Sequence, residues 1–366
     1  FGTWDEWIYR GLALLLIGCP CALVISVPAA IASGLSTGAR QGMLIKGGAV
    51  IETLAQTKTI AFDKTGTLTL GKPWVTDVVA ADGDTARLVA IAAAIERESS
   101  HPLATAIVDH ATELAAPFIA GEDIRAIAGR GMEGRAGGQA IFIGAPRFAG
   151  EAGSVAPELA EAATALESDG KTVAVVVADG VAAGLVAMRD EPRPDAAEGI
   201  AELARLGVDS VMLTGDNART GNAIGKMLGM QVRAELLPQD KVEEIRKLAN
   251  GGTVAMVGDG INDAPALAAA SVGVAIGSGT DVAMETADAA LMGSRIRDVA
   301  GMIRLSRATM RNIRQNVAIA LGLKAVFLVT TVTGLSGLWM AVLADTGATV
   351  LVTMNAMRLL AFRPGR

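Results

Sequence analysis

Three short motifs combine aspartate with threonine, glycine or lysine, the residue types that phosphate chemistry uses. They are Asp63-Lys64-Thr65-Gly66-Thr67-Leu68-Thr69, Thr214-Gly215-Asp216 and Gly258-Asp259-Gly260-Ile261-Asn262-Asp263. An aspartate can attack phosphorus once the phosphate charge is neutralised. A second carboxylate, from Asp259, can hold Mg²⁺, which takes oxygen ligands and keeps several waters. The first motif therefore offers a nucleophile, and the third offers a ligand for the ion.

Other residues near these motifs can neutralise a phosphate. Lys241 begins a helix-like segment after Leu237-Pro238-Gln239-Asp240, where its ammonium can act as a point charge. Thr214 and Gly215 offer a hydroxyl group and unobstructed backbone N–H groups. Aspartate and glycine are also ordinary turn formers, but three such motifs in this order favour a phosphate site.

Apolar segments must bring the three motifs together. The runs Thr59–Phe62, Ser210–Leu213 and Thr253–Val257 each end at one of the motifs, and helix-like segments lie between them. Alternating strands and helices predict a parallel sheet, in which ligands bind at the carboxyl ends of the strands. We therefore expect the three motifs to meet at one edge of an α/β fold.

The composition predicts soluble domains joined to a few membrane helices. Of the 366 residues, 51% are apolar and 19% charged, and the net charge of −6 argues against a nucleic-acid-binding surface. Three stretches, about residues 7–35, 316–333 and 338–357, approach the ~20 residues that span a membrane. Arginines flank the second and third stretches on their outer ends, which predicts a hairpin with both ends cytoplasmic. The first stretch then begins on the far side, so we expect further membrane helices upstream.

Cys19-Pro20-Cys21 lies near the middle of the first membrane stretch. Residues two apart point to nearly opposite sides of a regular helix, so two thiolates can face one ion only if Pro20 breaks the helix. The alternative is two small apolar residues beside a proline kink. We expect a disulfide between residues this close to be strained.

Two charged residues in the other stretches narrow the choice of ion. Lys324 and Asp345 lie at membrane depth, where charges are expensive and usually functional or paired. Two thiolates and one carboxylate carry three negative charges, so a divalent ion leaves one for Lys324 to neutralise. Such ligands suit Zn²⁺ and its heavier relatives, whereas Cu⁺ prefers Cys and Met alone.

The segment between the first two motifs contains Glu98-Ser99-Ser100-His101-Pro102 and Gly129-Arg130-Gly131. Each is weak evidence of nucleotide binding alone, because a single histidine is usually structural and loops are rich in glycine.

With its Asp-Lys-Thr-Gly-Thr-Leu-Thr run, the sequence resembles the P-type ATPases, whose phosphorylation domain has a haloacid-dehalogenase-like fold. The resemblance implies that Asp63 takes the γ-phosphate of ATP. It also implies that Asp63, Asp259 and the carbonyl of Thr65 bind Mg²⁺, with Asn262 and Asp263 supporting the site. Thr214, Gly215, Asp216 and Lys241 complete the predicted catalytic set.

Further motifs resemble the heavy-metal, or CPx-type, branch of that family. A Ser-x-His-Pro-type motif and a Gly-x-Gly loop line the adenine pocket there, which implies Glu98, His101, Gly129 and Gly131 as nucleotide-binding residues. Lys324 and Asp345-Thr346-Gly347 resemble the zinc/cadmium/lead exporters, which implies Cys19, Cys21 and Asp345 as ligands of transported Zn²⁺. The Tyr-Asn pair and the Met with paired Ser of the copper exporters are absent.

The predicted architecture is a haloacid-dehalogenase-like domain with an inserted α+β nucleotide-binding domain, plus transmembrane helices. The predicted segments are residues 1–57 (membrane helix), 58–72 and 186–293 (phosphorylation domain), 73–185 (nucleotide domain) and 294–366 (two membrane helices).

We expect a monomer in a bacterial inner membrane with cytoplasmic soluble domains. The sequence lacks the Thr-Gly-Glu motif of the family's actuator domain, so we expect ATP binding without a complete transport cycle. Rival hypotheses are a Cu⁺ exporter, a soluble phosphatase of the same superfamily and a non-catalytic metal-binding membrane protein.

Overall fold

The three motifs lie at the carboxyl ends of neighbouring parallel strands. The computed structural model describes residues 3–19, 21–99, 101–127, 129–259, 263–277 and 285–363. Its larger sheet has seven strands in the order β1-β13-β12-β11-β2-β9-β10. These strands are β1 (Met43–Ile45), β2 (Thr59–Asp63), β9 (Asp209–Leu213), β10 (Gln231–Arg233), β11 (Val254–Gly258), β12 (Val272–Ile276) and β13 (Ala289–Leu291).

Strand β2 lies in the interior of this sheet, between β11 and β9. All its pairings are parallel, with Asp63 opposite Leu213 and Phe62 opposite Val257. Its residues Ile60, Ala61 and Phe62 are fully buried, as expected of a parallel strand covered on both faces. The predicted parallel sheet is therefore confirmed.

Helices cover both faces of the sheet. They are α3 (Gly48–Gln56), α8 (Ala196–Arg205), α9 (Ala218–Leu228), α10 (Pro238–Ala249) and α11 (Ala264–Ala269). Both ends of α9 carry residues that stop a helix. At its start the Asn217 side chain accepts a hydrogen bond from the Thr220 N–H, and at its end Gly229 adopts the left-handed conformation.

A second domain is inserted after β2. Its antiparallel sheet has the order β3-β8-β7-β6-β5-β4. The strands are β3 (Trp74–Ala80), β4 (Gly121–Ile127), β5 (Gly131–Ala136), β6 (Gln139–Gly144), β7 (Thr172–Ala178) and β8 (Val181–Arg189). The helices are α4 (Thr85–Glu96), α5 (Pro102–Glu113), α6 (Pro146–Ala152) and α7 (Pro157–Ser168). The last strand ends at Arg189, beyond the domain boundary predicted at residue 185.

The first predicted membrane stretch is two helices, α1 (Trp4–Gly18) and α2 (Cys21–Arg40). The other two stretches belong to α12 (Arg297–Val332) and α13 (Leu338–Met357). In the described part of the chain, three helical segments are long and apolar enough to cross a membrane: 21–40, 297–332 and 338–361. The predicted turn between the last two contains Gly334, whose φ is 75°.

Helix α12 extends well beyond the predicted span, because its first half packs against the phosphorylation domain. Arg304 donates a 2.9 Å hydrogen bond to Glu202 of α8. Arg307 donates to the carbonyls of Ala55 and Leu206 at 3.3 and 2.6 Å. At 36 residues, α12 is about 54 Å long, so one rigid element joins the catalytic sheet to the membrane segment.

Candidate phosphorylation and membrane metal sites

The Asp63 side chain lies in a buried cluster of charges. Lys241 Nζ, at the start of α10, donates to Asp63 Oδ1 at 2.5 Å and to Asp263 Oδ1 at 2.7 Å. Asp63, Lys241 and Asp263 are 7%, 9% and 1% exposed. The ammonium therefore bridges two buried carboxylates that would otherwise repel each other.

This cluster adjusts the acidity of its members. Burial raises the pKa of the Asp63 carboxyl to about 6, the charge of Asp263 adds to the rise, and Lys241 opposes it. Burial disfavours the charged form of Lys241, but Asp63 and Asp263 outweigh that effect and raise its pKa. At pH 7 Asp63 is thus mostly ionised and more basic than an ordinary aspartate, which favours nucleophilic attack.

The residues present fit a magnesium ion beside Asp63. Gly66 has a φ of +73°, and a Cβ atom there would lie 2.7 Å from Asp259 Oδ2. The Asp259 carboxylate therefore rests over the backbone of the Asp63 loop, in space that only glycine leaves open. Among the described residues no group of three or more His, Cys, Asp or Glu side chains surrounds one point. Two carboxylates with a carbonyl and waters are a common way to bind Mg²⁺, and Asp63, Asp259 and the Thr65 carbonyl would supply them.

The second motif supports the site from β9. The Thr214 hydroxyl accepts a hydrogen bond from the Asp216 N–H at 3.1 Å. The Asp216 carboxylate is paired with Lys64. Burial opposes the charge of Lys64, but Asp216 outweighs it and raises the pKa of that ammonium. Asp216 therefore holds the side chain next to Asp63 in place. The predicted residue Asn262 lies outside the described residues.

Arg193 was not anticipated as part of this site. Its Nε donates to the Thr67 carbonyl and its terminal nitrogen to the Gly66 carbonyl, both at 2.7 Å. Two parallel guanidinium bonds hold the loop that follows Asp63 in one conformation. Arg193 lies in Arg-Asp-Glu-Pro-Arg-Pro, whose prolines were the only sequence signal.

The inserted domain presents His101 and Gly129 toward the phosphorylation domain. His101 caps α5, and its Nδ1 accepts a hydrogen bond from the Leu103 N–H at 3.2 Å. Desolvation lowers the pKa of His101, and the charges of Asp216 and Lys64 also act on that pKa, in opposite directions. A Cβ at Gly129, whose φ is +73°, would lie 3.8 Å from Leu237. Both residues therefore face the cleft between the domains.

Other predicted nucleotide residues differ in their surroundings. At Gly131 a Cβ would lie 1.9 Å from the Ile143 carbonyl oxygen, so this glycine permits the close pairing of β5 with β6. Glu98 is exposed beyond the end of α4, whereas Glu96 is buried. Burial raises the pKa of Glu96 to about 7. Glu96 is thus a candidate that sequence reasoning missed, although a carboxylate ending the buried run of α4 was a possible signal.

A second contact connects the two domains. Glu167 of α7 is 2% exposed and accepts hydrogen bonds from Asn217 at 2.7 Å and from Arg219 at 2.9 Å. Thr220 donates to the Lys171 carbonyl at 2.7 Å. These bonds dock the nucleotide domain on α9, directly after the second phosphate motif.

In the membrane region the helix is interrupted at Cys-Pro-Cys, as predicted. Helix α1 ends at Gly18 and α2 begins at Cys21, while Pro20 lies outside the described residues. The structure joins Cys19 and Cys21 in a disulfide, with Cα atoms 5.5 Å apart. The two sulfur atoms therefore converge rather than pointing to opposite sides.

The structure brings Lys324 and Asp345 together across α12 and α13. Lys324 Nζ lies 3.5 Å from Asp345 Oδ1, and both side chains are 18% exposed. Lys324 also donates to the Cys19 carbonyl oxygen. A cavity of about 20 Å³ beside the pair is lined by Phe327 and Ala341. The charged pair therefore adjoins the cysteine segment, as a site for an ion requires.

The phosphorylation domain matches a known family. A sequence profile of the haloacid dehalogenase-like hydrolases matches residues 57–271. Together, the parallel sheet and its strand-end aspartates define a hydrolase of this class.

Individual proteins give a finer assignment. The chain is 55% identical to the zinc/cadmium/lead-transporting P-type ATPase of Shigella sonnei, over 98% of this chain and 48% of that protein. It superimposes on a zinc-transporting PIB-type ATPase in the E2.Pi state with a TM-score of 0.78 and 53% identity, covering 98% of this chain and 59% of the other. It also matches the catalytic domain of the CPx-ATPase CopB-B (TM-score 0.60, 32% identity), covering 74% of this chain and 98% of that domain. The chain therefore belongs to the heavy-metal-transporting P-type ATPases of the CPx type. It spans about half the length of the curated relative.

Proposed function

We propose that this chain forms the catalytic and metal-binding part of an ATP-driven pump that exports Zn²⁺, and also Cd²⁺ and Pb²⁺. The observation that carries the proposal is the convergence of Lys241, Asp263 and Asp259 around the Asp63 loop. The same chain holds paired charges beside Cys19 in the membrane region. A pump needs both, because hydrolysis at one site must be coupled to ion release at the other.

In the proposed reaction a carboxylate oxygen of Asp63 attacks the γ-phosphorus of ATP. The new O–P bond forms as the bond to the β-phosphate oxygen breaks, and ADP leaves. Lys241 neutralises charge at the reacting centre, and Arg193 keeps the Asp63 loop in position. When bound by Asp63, Asp259 and the Thr65 carbonyl, Mg²⁺ adds positive charge for the phosphoryl oxygens.

The nucleotide is placed in the cleft between the two soluble domains. His101 offers an imidazole ring there, and Gly129 leaves backbone exposed for close approach. Glu96 supplies a buried carboxyl on the same domain, in place of the exposed Glu98 that the sequence motif indicated. Gly131 contributes by allowing β5 to reach the cleft.

The transported ion is assigned to Cys19, Cys21 and Asp345. In their reduced form the two cysteines supply soft thiolates, and Asp345 supplies a hard oxygen, a combination that suits Zn²⁺ better than Cu⁺. Lys324 lies between Asp345 and the Cys19 carbonyl, so its ammonium balances the ligand charge. It can also pair with Asp345 after the ion leaves.

We place the three spanning segments in a bacterial plasma membrane, with both soluble domains in the cytoplasm. Support comes from Arg304, Arg307, Arg311 and Arg314, which precede the apolar part of α12. Basic residues concentrate on the cytoplasmic side of membrane proteins. A soluble phosphatase would not carry membrane-spanning segments. Whether the protein partitions into membranes therefore tests that alternative hypothesis.

Phosphoenzyme formation tests the catalytic assignment. The protein at its natural length, given ATP labelled on the γ-phosphate, is expected to acquire an acid-stable label. Asp63→Asn should abolish the label, because an amide is a poor nucleophile, while nucleotide binding persists. A label that survives in the variant would contradict Asp63 as the acceptor. A non-catalytic metal-binding protein would show no label at all.

Metal-stimulated ATPase activity tests the cargo. Under reducing conditions we expect Zn²⁺, Cd²⁺ and Pb²⁺ to stimulate turnover of the protein at its natural length. Asp345→Ala should lose at least 90% of the Zn²⁺ stimulation, about tenfold, as expected when a ligand is removed. Its phosphorylation by inorganic phosphate without metal should remain. Stimulation by Cu⁺ alone would contradict the zinc assignment.

A further inference from the structure

A basic groove lies where α12 leaves the phosphorylation domain. The groove has a volume of about 310 Å³. Its lining residues are Ala55, Gln56, Arg307, Met310, Arg311 and Arg314. The three arginines are three and four positions apart, so they share one face of the helix. The groove therefore combines three guanidinium groups with a mostly apolar wall.

The arginines differ in what they already bind. Arg307 donates to the carbonyls of Ala55, Leu206 and Thr57 and so closes one end of the groove. Arg311 and Arg314 are exposed. Within the described residues, they have no ion-pair or hydrogen-bond partner. Among the residues that the structure describes, no carboxylate lines the groove, so two guanidinium groups are available to an anion from outside the chain.

The position of the groove relative to the membrane indicates where that anion comes from. The segment from Gln315 to Val332 spans about 27 Å at 1.5 Å per residue, close to the hydrocarbon thickness of a bilayer. Arg314 then lies at the edge of the hydrocarbon, and Arg311 about 5 Å beyond it. The headgroup layer is roughly 5–7 Å thick on each side. Both arginines are therefore level with lipid phosphates.

We propose that this groove binds the headgroup of an anionic phospholipid in the cytoplasmic leaflet. Guanidinium groups match phosphate oxygens in a two-pronged geometry. Because the lining has no carboxylate, the ammonium of a zwitterionic lipid finds no partner there, so the groove selects anionic over zwitterionic headgroups. The exposed amide of Gln56 can bond headgroup hydroxyls, and Met310 contacts the start of the acyl chains. The proposal requires that α12 cross a membrane but requires no part of the pump activity.

The test measures lipid binding directly. The protein at its natural length, purified in detergent, is titrated with phosphatidylglycerol or phosphatidylcholine, and bound lipid is counted by native mass spectrometry. Each basic residue near an anionic surface strengthens binding by about fivefold. Arg311→Gln/Arg314→Gln is therefore expected to weaken phosphatidylglycerol binding about 25-fold and to leave phosphatidylcholine binding unchanged.

Three controls make the result decisive. Arg205→Gln/Arg246→Gln removes the same charge from exposed positions of the soluble domain and should change binding less than twofold. Arg311→Lys/Arg314→Lys keeps the charges but loses the two-pronged geometry, so it should weaken binding less than the glutamine variant does. Inorganic phosphate at millimolar concentration should not displace the lipid. Equal loss in the soluble-domain control, loss in the lysine variant as large as in the glutamine variant, no loss in the glutamine variant, or displacement by phosphate would each overturn the proposal.

Discussion

Replacing Lys241 with methionine should move the pH dependence of phosphorylation in a defined direction. Methionine keeps the length of the side chain but removes the ammonium that lies 2.5 Å from Asp63 and 2.7 Å from Asp263. The two buried carboxylates then face each other without a cation. A nearby opposite charge commonly lowers the pKa of a carboxyl by about 1–3 units. Losing it should raise the pKa of Asp63 from about 6 to roughly 7–9.

The ionised fraction of Asp63 gives the size of the effect. With a pKa of about 6, about nine-tenths of the carboxyl groups are ionised at pH 7. With a pKa of 7–9, about half to about 1% are ionised. Only the carboxylate attacks phosphorus, so the rate at pH 7 should fall roughly twofold to 100-fold through ionisation and recover as the pH rises. A pH-independent loss of about 10²–10³ should accompany it, because Lys241 no longer neutralises the phosphoryl charge.

The assay is the rate of phosphoenzyme formation by rapid quench between about pH 5.5 and 9. The control is Asp263→Asn, which removes a charge that raises the pKa of Asp63 and leaves Lys241 in place. In this variant the rise of the phosphorylation rate with pH should begin at lower pH than in the natural protein. In the Lys241→Met variant it should begin at higher pH. The double variant should lie between them. If Lys241→Met lowered the rate equally at every pH, Lys241 would not control the ionisation of Asp63.

Two further substitutions test the loop and the nucleotide domain. Gly66→Ala places a Cβ 2.7 Å from Asp259 Oδ2, so the Mg²⁺ concentration for half-maximal phosphorylation should rise about 10–100-fold. Gly229→Ala has a similar φ of +70° but no atom within 4 Å, and it should leave that concentration unchanged; an equal shift in both would show backbone strain alone. Glu96→Gln removes a carboxyl whose pKa is raised from 4.5 to about 7. Ionisation of Glu96 therefore destabilises the folded domain increasingly from pH 4.5 to 7. Compared with the natural protein, the variant should have a free energy of unfolding that is higher by about 3 kcal/mol above pH 7 and little changed below pH 4.5. Hydrogen exchange in α4 measures this gain, which Glu98→Gln at the exposed position should not show.

Short-range patterns in the sequence were sufficient to predict the main strands, the membrane spans and the break in the first membrane helix. The apolar runs that end at Asp63, Thr214 and Gly258 predicted three parallel strands, because strands buried on both faces read as continuous apolar segments. The long apolar stretches in α12 and α13, each with a single charged residue, predicted membrane spans from their composition alone. Pro20 predicted the helix break, because proline removes a backbone donor wherever it occurs. Each of these features depends on neighbours along the chain.

The state of individual side chains was decided only by the tertiary structure. Lys241 reaches Asp63 across 178 positions of sequence, and Arg193 reaches the Thr67 carbonyl across 126. Spacing in the sequence indicated Glu98 for the nucleotide pocket, but Glu98 is exposed in the fold. The nearby Glu96 is buried, and this burial makes it the candidate instead. Arg311 and Arg314 were predicted only as markers of the cytoplasmic side, and the end of α3 makes them part of a groove. The physical reason is that desolvation and charge pairing depend on which surfaces meet in space, whereas strand and helix formation depend on residues close together in the chain.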